Sequence, residues 1–380
     1  MKKQLGVIGI SVMILLIGGG SCSDESSSEP NWIVDGSDLR QTVLQSLAST
    51  VIIPRYQKFK AETILLKEAA EALCSAPSED QLQSVRTQWE SVRDLWKASE
   101  VTRFGPYAEL PLRIGPKIDF WPARPDKIED LLQGMDPIDA LLLNNSGTTV
   151  RGLPVSEYLL YGPQFEDVLE EGHRRCSFVM ANAEDIINSS DILIQAWSPQ
   201  EGMGDKPPSF GWNFANAGSD QSRFMDPHEA VNEVVNRMIF AVEDVRVLKL
   251  GKPVGDSTGG NPVPDRLESP YAQRSLQDSI QAIRGIHSFF YAEFEGNKGQ
   301  GIVELLRGKH PDIISRFDQT YAAGIDALEA IEGPLAVAIT DHRDQVKNAQ
   351  TVLRDLQVVL QVELAQVLNV SPRFNDNDGD

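Results

Sequence analysis

The sequence predicts an all-α fold, and three observations carry that reading. From Ser37 onward, apolar residues recur at helical spacing almost throughout; no alternating segment is long enough for a sheet; and Gly and Pro cluster in a few places where they punctuate helices. With 380 residues, 41% of them hydrophobic and 24% charged, the composition is that of a globular protein with a sizeable core. A formal net charge of −20 argues against nucleic acid and against a polybasic membrane patch, and solubility alone accounts for it.

The N-terminus reads as a targeting segment. Lys2 and Lys3 precede an apolar run, Val7 to Ile17, that is short for a bilayer span. Gly18-Gly19-Gly20-Ser21 then leads to Cys22, a pattern that resembles a bacterial lipobox, although Gly19 stands where Leu is usual. Residues 1–22 are therefore expected to be a lipoprotein signal peptide, with Cys22 lipidated and holding the protein to the membrane. Ser23 after Cys22 favours the periplasmic side of the outer membrane, and 23–36 form a polar tether with no means of building a core.

The first helix carries Leu39, Val43, Leu44, Leu47, Val51 and Ile52, and continues past Pro54 through Tyr56, Phe59, Ile64 and Leu65. Pro54 predicts a kink or slight break. A second helix is expected from Glu79 to Thr102, with Leu82, Val85, Trp89, Val92 and Trp96 inward. Residues 104–125 are apolar, rich in Pro and Gly, and packed down, with Phe120 and Trp121 closing one end of a bundle. Helices then follow at Ile128 to Leu143, broken at Pro137, and at Glu166 to Trp197. Gly202 to Asp220 is loop-like and the best boundary between halves. The second half holds Pro227 to Leu250, stopped by Gly251 and Pro253, then a helix through Ile280, Ile283 and Ile286, and a final pair from Asp312 to Leu368. Cys74 and Cys176 both lie in helical patterns; in an oxidising compartment they could pair, but sequence does not give their distance, and the default reading is two buried apolar residues.

Between Asn144-Asn145-Ser146-Gly147 and the long central helix lies Arg151-Gly152-Leu153-Pro154-Val155-Ser156-Glu157-Tyr158. Gly152 permits a turn, Pro154 suits a first helical turn, and Glu157 is an acid in an apolar setting that needs water or a partner. This stretch resembles the Gly-x-His-x-x-Glu signature of the imelysin-like family. Val51 to Phe59, Arg113 to Pro122 and the Asn375-Asp-Asn-Asp-Gly-Asp380 tail are similar to other stretches of that family. The resemblance implies two helical-bundle domains with a cleft between them, 37–201 and 227–380, joined by 202–226. It also implies a link to iron uptake, and a metal site of a peptidase at the motif's His and Glu.

Here the histidine position reads Pro154, which has no donor atom for a metal. The favoured reading is therefore a non-enzymatic envelope lipoprotein of iron or haem uptake, meeting a metal, a metal complex or an uptake component in the cleft. The alternative is a metallopeptidase whose ligands for zinc or iron are rearranged around Glu157. Arg284-Gly285-Ile286-His287 faintly echoes the motif, so a pseudo-two-fold pairing would bring His287 to Glu157, with Asp119 and Trp121 at the rim. None of the five histidines belongs to a close metal-binding pair, and the chain has no Gly-x-Ser-x-Gly elbow or phosphate loop.

Overall fold

Proline placement explains the first irregularity of the chain. Pro54 cannot donate an N–H, and in a regular helix its ring would meet the carbonyl of residue 50. The chain answers with a π-helical turn, Leu47–Ile52, between α1 (Leu39–Ser46) and α2 (Ile53–Ser75), so the helix widens instead of ending. The computed structural model describes residues 39–204 and 206–373. The signal peptide, Cys22, the tether and the Asn375–Asp380 tail lie outside the described residues.

α3 (Glu79–Ala98) starts where Ser78 accepts a hydrogen bond from the Gln81 amide, with Glu79 and Asp80 complementing the helix dipole. It ends four residues before the expected Thr102, which lies in a 3-10 turn, Glu100–Thr102. Residues 104–125 are packed down as expected, around the short α4 (Gly115–Ile118), but by different residues. Phe104, Tyr107, Ile114 and Ile118 are buried, whereas Phe120 is 36% exposed and lies outside the apolar core.

α5 (Pro125–Gln133) and α6 (Ala140–Asn144) flank Pro137, and α7 (Leu153–Tyr161) follows. α8 (Arg174–Trp197) begins eight residues later than the periodicity suggested. Gly172 adopts a φ of 73°, which no continuing helix accommodates, and Phe165–Leu169 is only a 3-10 turn. α2 and α8 pack along each other, and a disulfide joins Cys74 near the end of α2 to Cys176 near the start of α8, their Cα atoms 5.6 Å apart. The pairing that the sequence left open is therefore formed, and the default of two separate buried cysteines is corrected.

Residues 202–226, expected to link two halves, contain α9 (Phe210–Ala215). Here Phe210 and Phe214 pack edge-on around Trp197 at centroid distances of 5.0 and 5.4 Å. α10 (Pro227–Glu243) does not stop at Gly251 and Pro253. A second π-helical turn, Asp244–Gly251, admits Pro253 into α11 (Lys252–Val254), and the run ends at Gly255 with a φ of 92°. α12 (Ser275–Tyr291) is followed by a two-residue hairpin, Glu293–Phe294 with Asn297–Lys298. Then come α13 (Pro311–Glu329), α14 (Leu335–Asp341), α15 (Arg343–Val358) and α16 (Ala365–Leu368).

The fold is all-α, and its buried apolar residues form one cluster running from Val43 to Val370. α3 sits at its centre, against α2 on one side and α12 on the other, so helices of the two expected halves meet directly. Trp89 of α3 is fully buried and donates its indole N–H to the Leu153 carbonyl at 3.2 Å, tying the core to the start of α7. Truncating such a residue to alanine costs about 3–5 kcal/mol.

Candidate functional site

Gly152 is where the site is assembled. Its φ of 86° suits glycine, and a Cβ there would stand 2.3 Å from the Ile118 carbonyl oxygen, so only a bare backbone lets α7 reach the 104–125 segment. Asn182 of α8 fixes the turn. It accepts the Gly152 N–H at 2.8 Å, and its amide nitrogen donates to the Gly152 carbonyl at 2.8 Å and to Ser156 Oγ at 2.7 Å. Beside it Arg151 is buried and clasps Asp185 with bonds of 2.7 and 2.6 Å; burial pushes the Asp185 carboxyl up to about 6 against the pull of Arg151. Pro154 occupies the first turn of α7, where no N–H is needed.

Glu157 is 1% exposed. Its Oε1 accepts the backbone N–H of Tyr271 at 2.8 Å and of Ala272 at 2.9 Å, both from the segment leading into α12. Burial raises its pKa to about 7, opposed by the Arg93 guanidinium and the two amides and assisted by Asp278. Glu157 therefore changes charge near neutrality.

Behind it runs a seam of buried charge between α3 and the second half of the chain. Arg93 grips Asp278 of α12, with Nε 3.0 Å from both carboxylate oxygens and Nη2 2.7 Å from Oδ2, and lies 3.7 Å from Asp119. Lys97, one turn on, reaches Asp119 at 2.7 Å, Glu100 at 3.1 Å and Glu268 at 3.2 Å. Lys249 bridges Glu100 and Glu268 at 3.0 and 2.5 Å, and Arg103 joins Glu100 to Asp244. Burial disfavours ionised Glu100, but Arg103, Lys249 and Lys97 together hold it down to about 2. Charges this deep persist only because each has partners; removing one leaves the others stranded.

Glu157 opens onto a cavity of about 440 Å³ walled by Trp121, Pro122, Ala123, Pro125 and Pro154 from the first half and by Pro264, Asp265, Leu267, Pro270, Tyr271 and Ala336 from the second. Trp121 is thus brought to Glu157, while Asp119 turns inward to Lys97 and belongs to the seam. His287 and Arg284 are elsewhere. His287 lies about 18 Å along α12 from its first residue, its ring against Tyr291 and Tyr321 at 4.8 and 4.6 Å, and burial lowers its pKa. Arg284 is exposed and paired with Glu329 at 3.1 Å. The residues present do not fit a peptidase metal centre: Pro154 offers no ligand atom, and Glu157 is left without the motif's second ligand. Among the described residues no group of three or more His, Cys, Asp or Glu is arranged to hold a metal ion.

Sequence reasoning missed Arg93, Lys97, Asp278 and the Tyr271 amide. A signal for the first two was present. Arg93 and Lys97 follow Trp89 at four-residue steps and so lie on the inward face of α3.

Fold and site together define an all-helical protein organised around a buried ionic seam that ends in a small cavity. The imelysin family profile matches residues 52–360, and the chain belongs to that family. Iron-regulated protein A of Synechococcus elongatus is 24% identical over 317 residues, covering 82% of each chain. Two crystal structures share the fold. One is of a protein designated iron-regulated protein A precursor from Parabacteroides distasonis, with a TM-score of 0.73 and 20% identity over 90% of this chain and 97% of that one. The other is of an imelysin-like protein from Psychrobacter arcticum, with a TM-score of 0.72 and 17% identity over 90% and 99%. Among the described residues no helix is long and apolar enough to cross a membrane.

Proposed function

We propose that this chain is a non-peptidase imelysin that serves iron acquisition at the bacterial cell envelope, holding a ligand in the cavity between Trp121, Glu157 and Tyr271 and working with iron- or haem-uptake components. One observation carries the non-peptidase part: the histidine position of the family motif is filled by Pro154, which has no donor atom for a metal and serves the first turn of α7. The iron-related part is supported by the names of the relatives. The envelope assignment is supported by the charged, apolar and Cys22-ending N-terminal segment, and the Cys74–Cys176 disulfide suits an oxidising compartment. Lipid attachment at Cys22, on the periplasmic side of the outer membrane, belongs to the same proposal.

The test is elemental analysis of the untagged purified protein together with a peptide-hydrolysis assay, on the wild type and on Glu157→Gln. The expected result is neither stoichiometric zinc or iron nor hydrolysis in either protein. A stoichiometric metal that disappears with Glu157→Gln, accompanied by hydrolysis in the wild type alone, would restore the metallopeptidase with rearranged ligands.

A further inference from the structure

The cavity in front of Glu157 contains two carboxylates and no cation. Glu157 stands at its inner end, Asp265 is exposed at its mouth, and Trp121, Tyr271, Pro154 and Pro270 supply wall. Oε1 of Glu157 is taken by the Tyr271 and Ala272 amides, and among the described residues no donor reaches Oε2. Glu157 lines the cavity, so a cation entering it meets a carboxylate with one oxygen that carries no protein donor.

The charge behind Glu157 points the same way. Arg93 of α3 is its nearest cation, but Arg93 is already clasped by Asp278 of α12 and approached by Asp119. Lys97, Arg103 and Lys249 are likewise engaged by Glu100, Asp119 and Glu268, so these seam cations already have carboxylate partners. An anionic ligand entering here meets two carboxylates and no countercharge.

The walls suit an organic cation. The face of an indole or phenol ring attracts an ammonium group, most strongly where water is excluded. Tyr271 is held edge-on by Tyr158, ring centroids 5.4 Å apart, and the Tyr158 hydroxyl donates to Glu129 at 2.8 Å, so this wall is set before a ligand arrives. The prolines add rigid apolar surface. A volume of about 440 Å³ equals roughly 15 waters at about 30 Å³ each, enough for a compact molecule.

We infer that the cavity receives a small organic cation, an alkylammonium or quaternary ammonium group lying against Trp121 and Tyr271 with Glu157 as its counterion. The inference rests on the ligand-binding role proposed above for the same cavity.

Calorimetric titration of the full-length protein in detergent with choline, with its uncharged carbon isostere 3,3-dimethylbutan-1-ol, and with citrate tests it. Choline is expected to bind at least about tenfold more tightly than the isostere, and citrate not to displace it. Glu157→Gln and Trp121→Ala should each weaken choline by about tenfold. Asp265→Asn, at an exposed position that leaves the core untouched, should weaken it by about threefold and answers the question if Glu157→Gln folds poorly. Equal binding of choline and the isostere, or binding of citrate in place of choline, overturns the cation assignment and leaves the ligand-binding cavity standing. Binding of none of the three probes overturns the cation assignment, while the ligand-binding role is tested separately by the metal analysis above.

Discussion

Two stretches of this chain begin alike and end in different chemistry. Arg151-Gly152 and Arg284-Gly285 each lead, six residues later, to a tyrosine, Tyr158 and Tyr291. Both glycines do the same steric work: a Cβ on Gly152 would stand 2.3 Å from the Ile118 carbonyl oxygen, and one on Gly285 would stand 2.2 Å from that of Ala98. The likeness stops there. Gly152 caps a helix with a φ of 86°, whereas Gly285 sits inside one. Arg151 is buried on Asp185, whereas Arg284 is exposed. Where the first stretch has Glu157 on a cavity, the second has Phe290 stacked on Phe317 at 3.7 Å. Backbone contact can thus be repeated in a chain while the polar site is built once.

The arginines should separate the two stretches most sharply. Arg151→Met strands the Asp185 carboxylate inside the protein and is expected to lose about 3–5 kcal/mol in urea unfolding. Arg284→Met breaks an exposed pair and is expected to lose less than about 1 kcal/mol. Equal losses would mean that the buried clasp contributes nothing special.

The glycines should come next. Gly152→Ala combines a positive φ with a backbone collision and is expected to cost about 3–4 kcal/mol, against about 2–3 kcal/mol for Gly285→Ala, which meets only the collision. A loss under about 1 kcal/mol at Gly152 would show that the 104–125 segment yields easily.

A smaller effect depends on pH. The native Glu157 carboxyl has its pKa raised to about 7 from 4.5, so the folded protein keeps a proton that the unfolded chain releases. Its contribution to stability is therefore greatest below about pH 4.5, falls as pH rises toward about 7, and is level beyond. Glu157→Gln has no such fall. The stability of the variant relative to the wild type should rise by on the order of 3 kcal/mol between pH 4.5 and 7.5. Arg93, Asp278 and the Tyr271 and Ala272 amides face the group in both proteins. A relative stability that does not change with pH would place Glu157 in contact with water.

Most helices were legible because their apolar residues recur at helical spacing, and the stripe Leu82, Val85, Trp89, Val92, Trp96 is buried as that spacing required. The irregularities were harder to read. Pro54 was correctly seen as a perturbation, but Pro253 was read as a stop, because proline chemistry alone does not say whether a helix will widen to admit it. Of the site, Glu157 and Trp121 were found together on the motif and its companion loop. The seam was half hidden: the spacing from Trp89 puts Arg93 and Lys97 on the inward face of α3, but their partners Asp278, 185 residues away from Arg93, and Glu268 are known only once the chain is folded. His287 was drawn toward Glu157 by an echo that turned out to be steric.

The bond between Cys74 and Cys176 closes a ring of chain that contains Trp121, Pro154 and Glu157, while Pro264, Pro270, Tyr271 and Ala336 lie outside it. A protease that nicks an exposed loop inside that ring, for instance at Leu110 or Met135, releases nothing; both new ends stay covalently attached on the cavity side. Damage of that kind would be invisible on a denaturing gel until a reductant is added, and the inner wall of the cavity stays tethered to the rest of the chain.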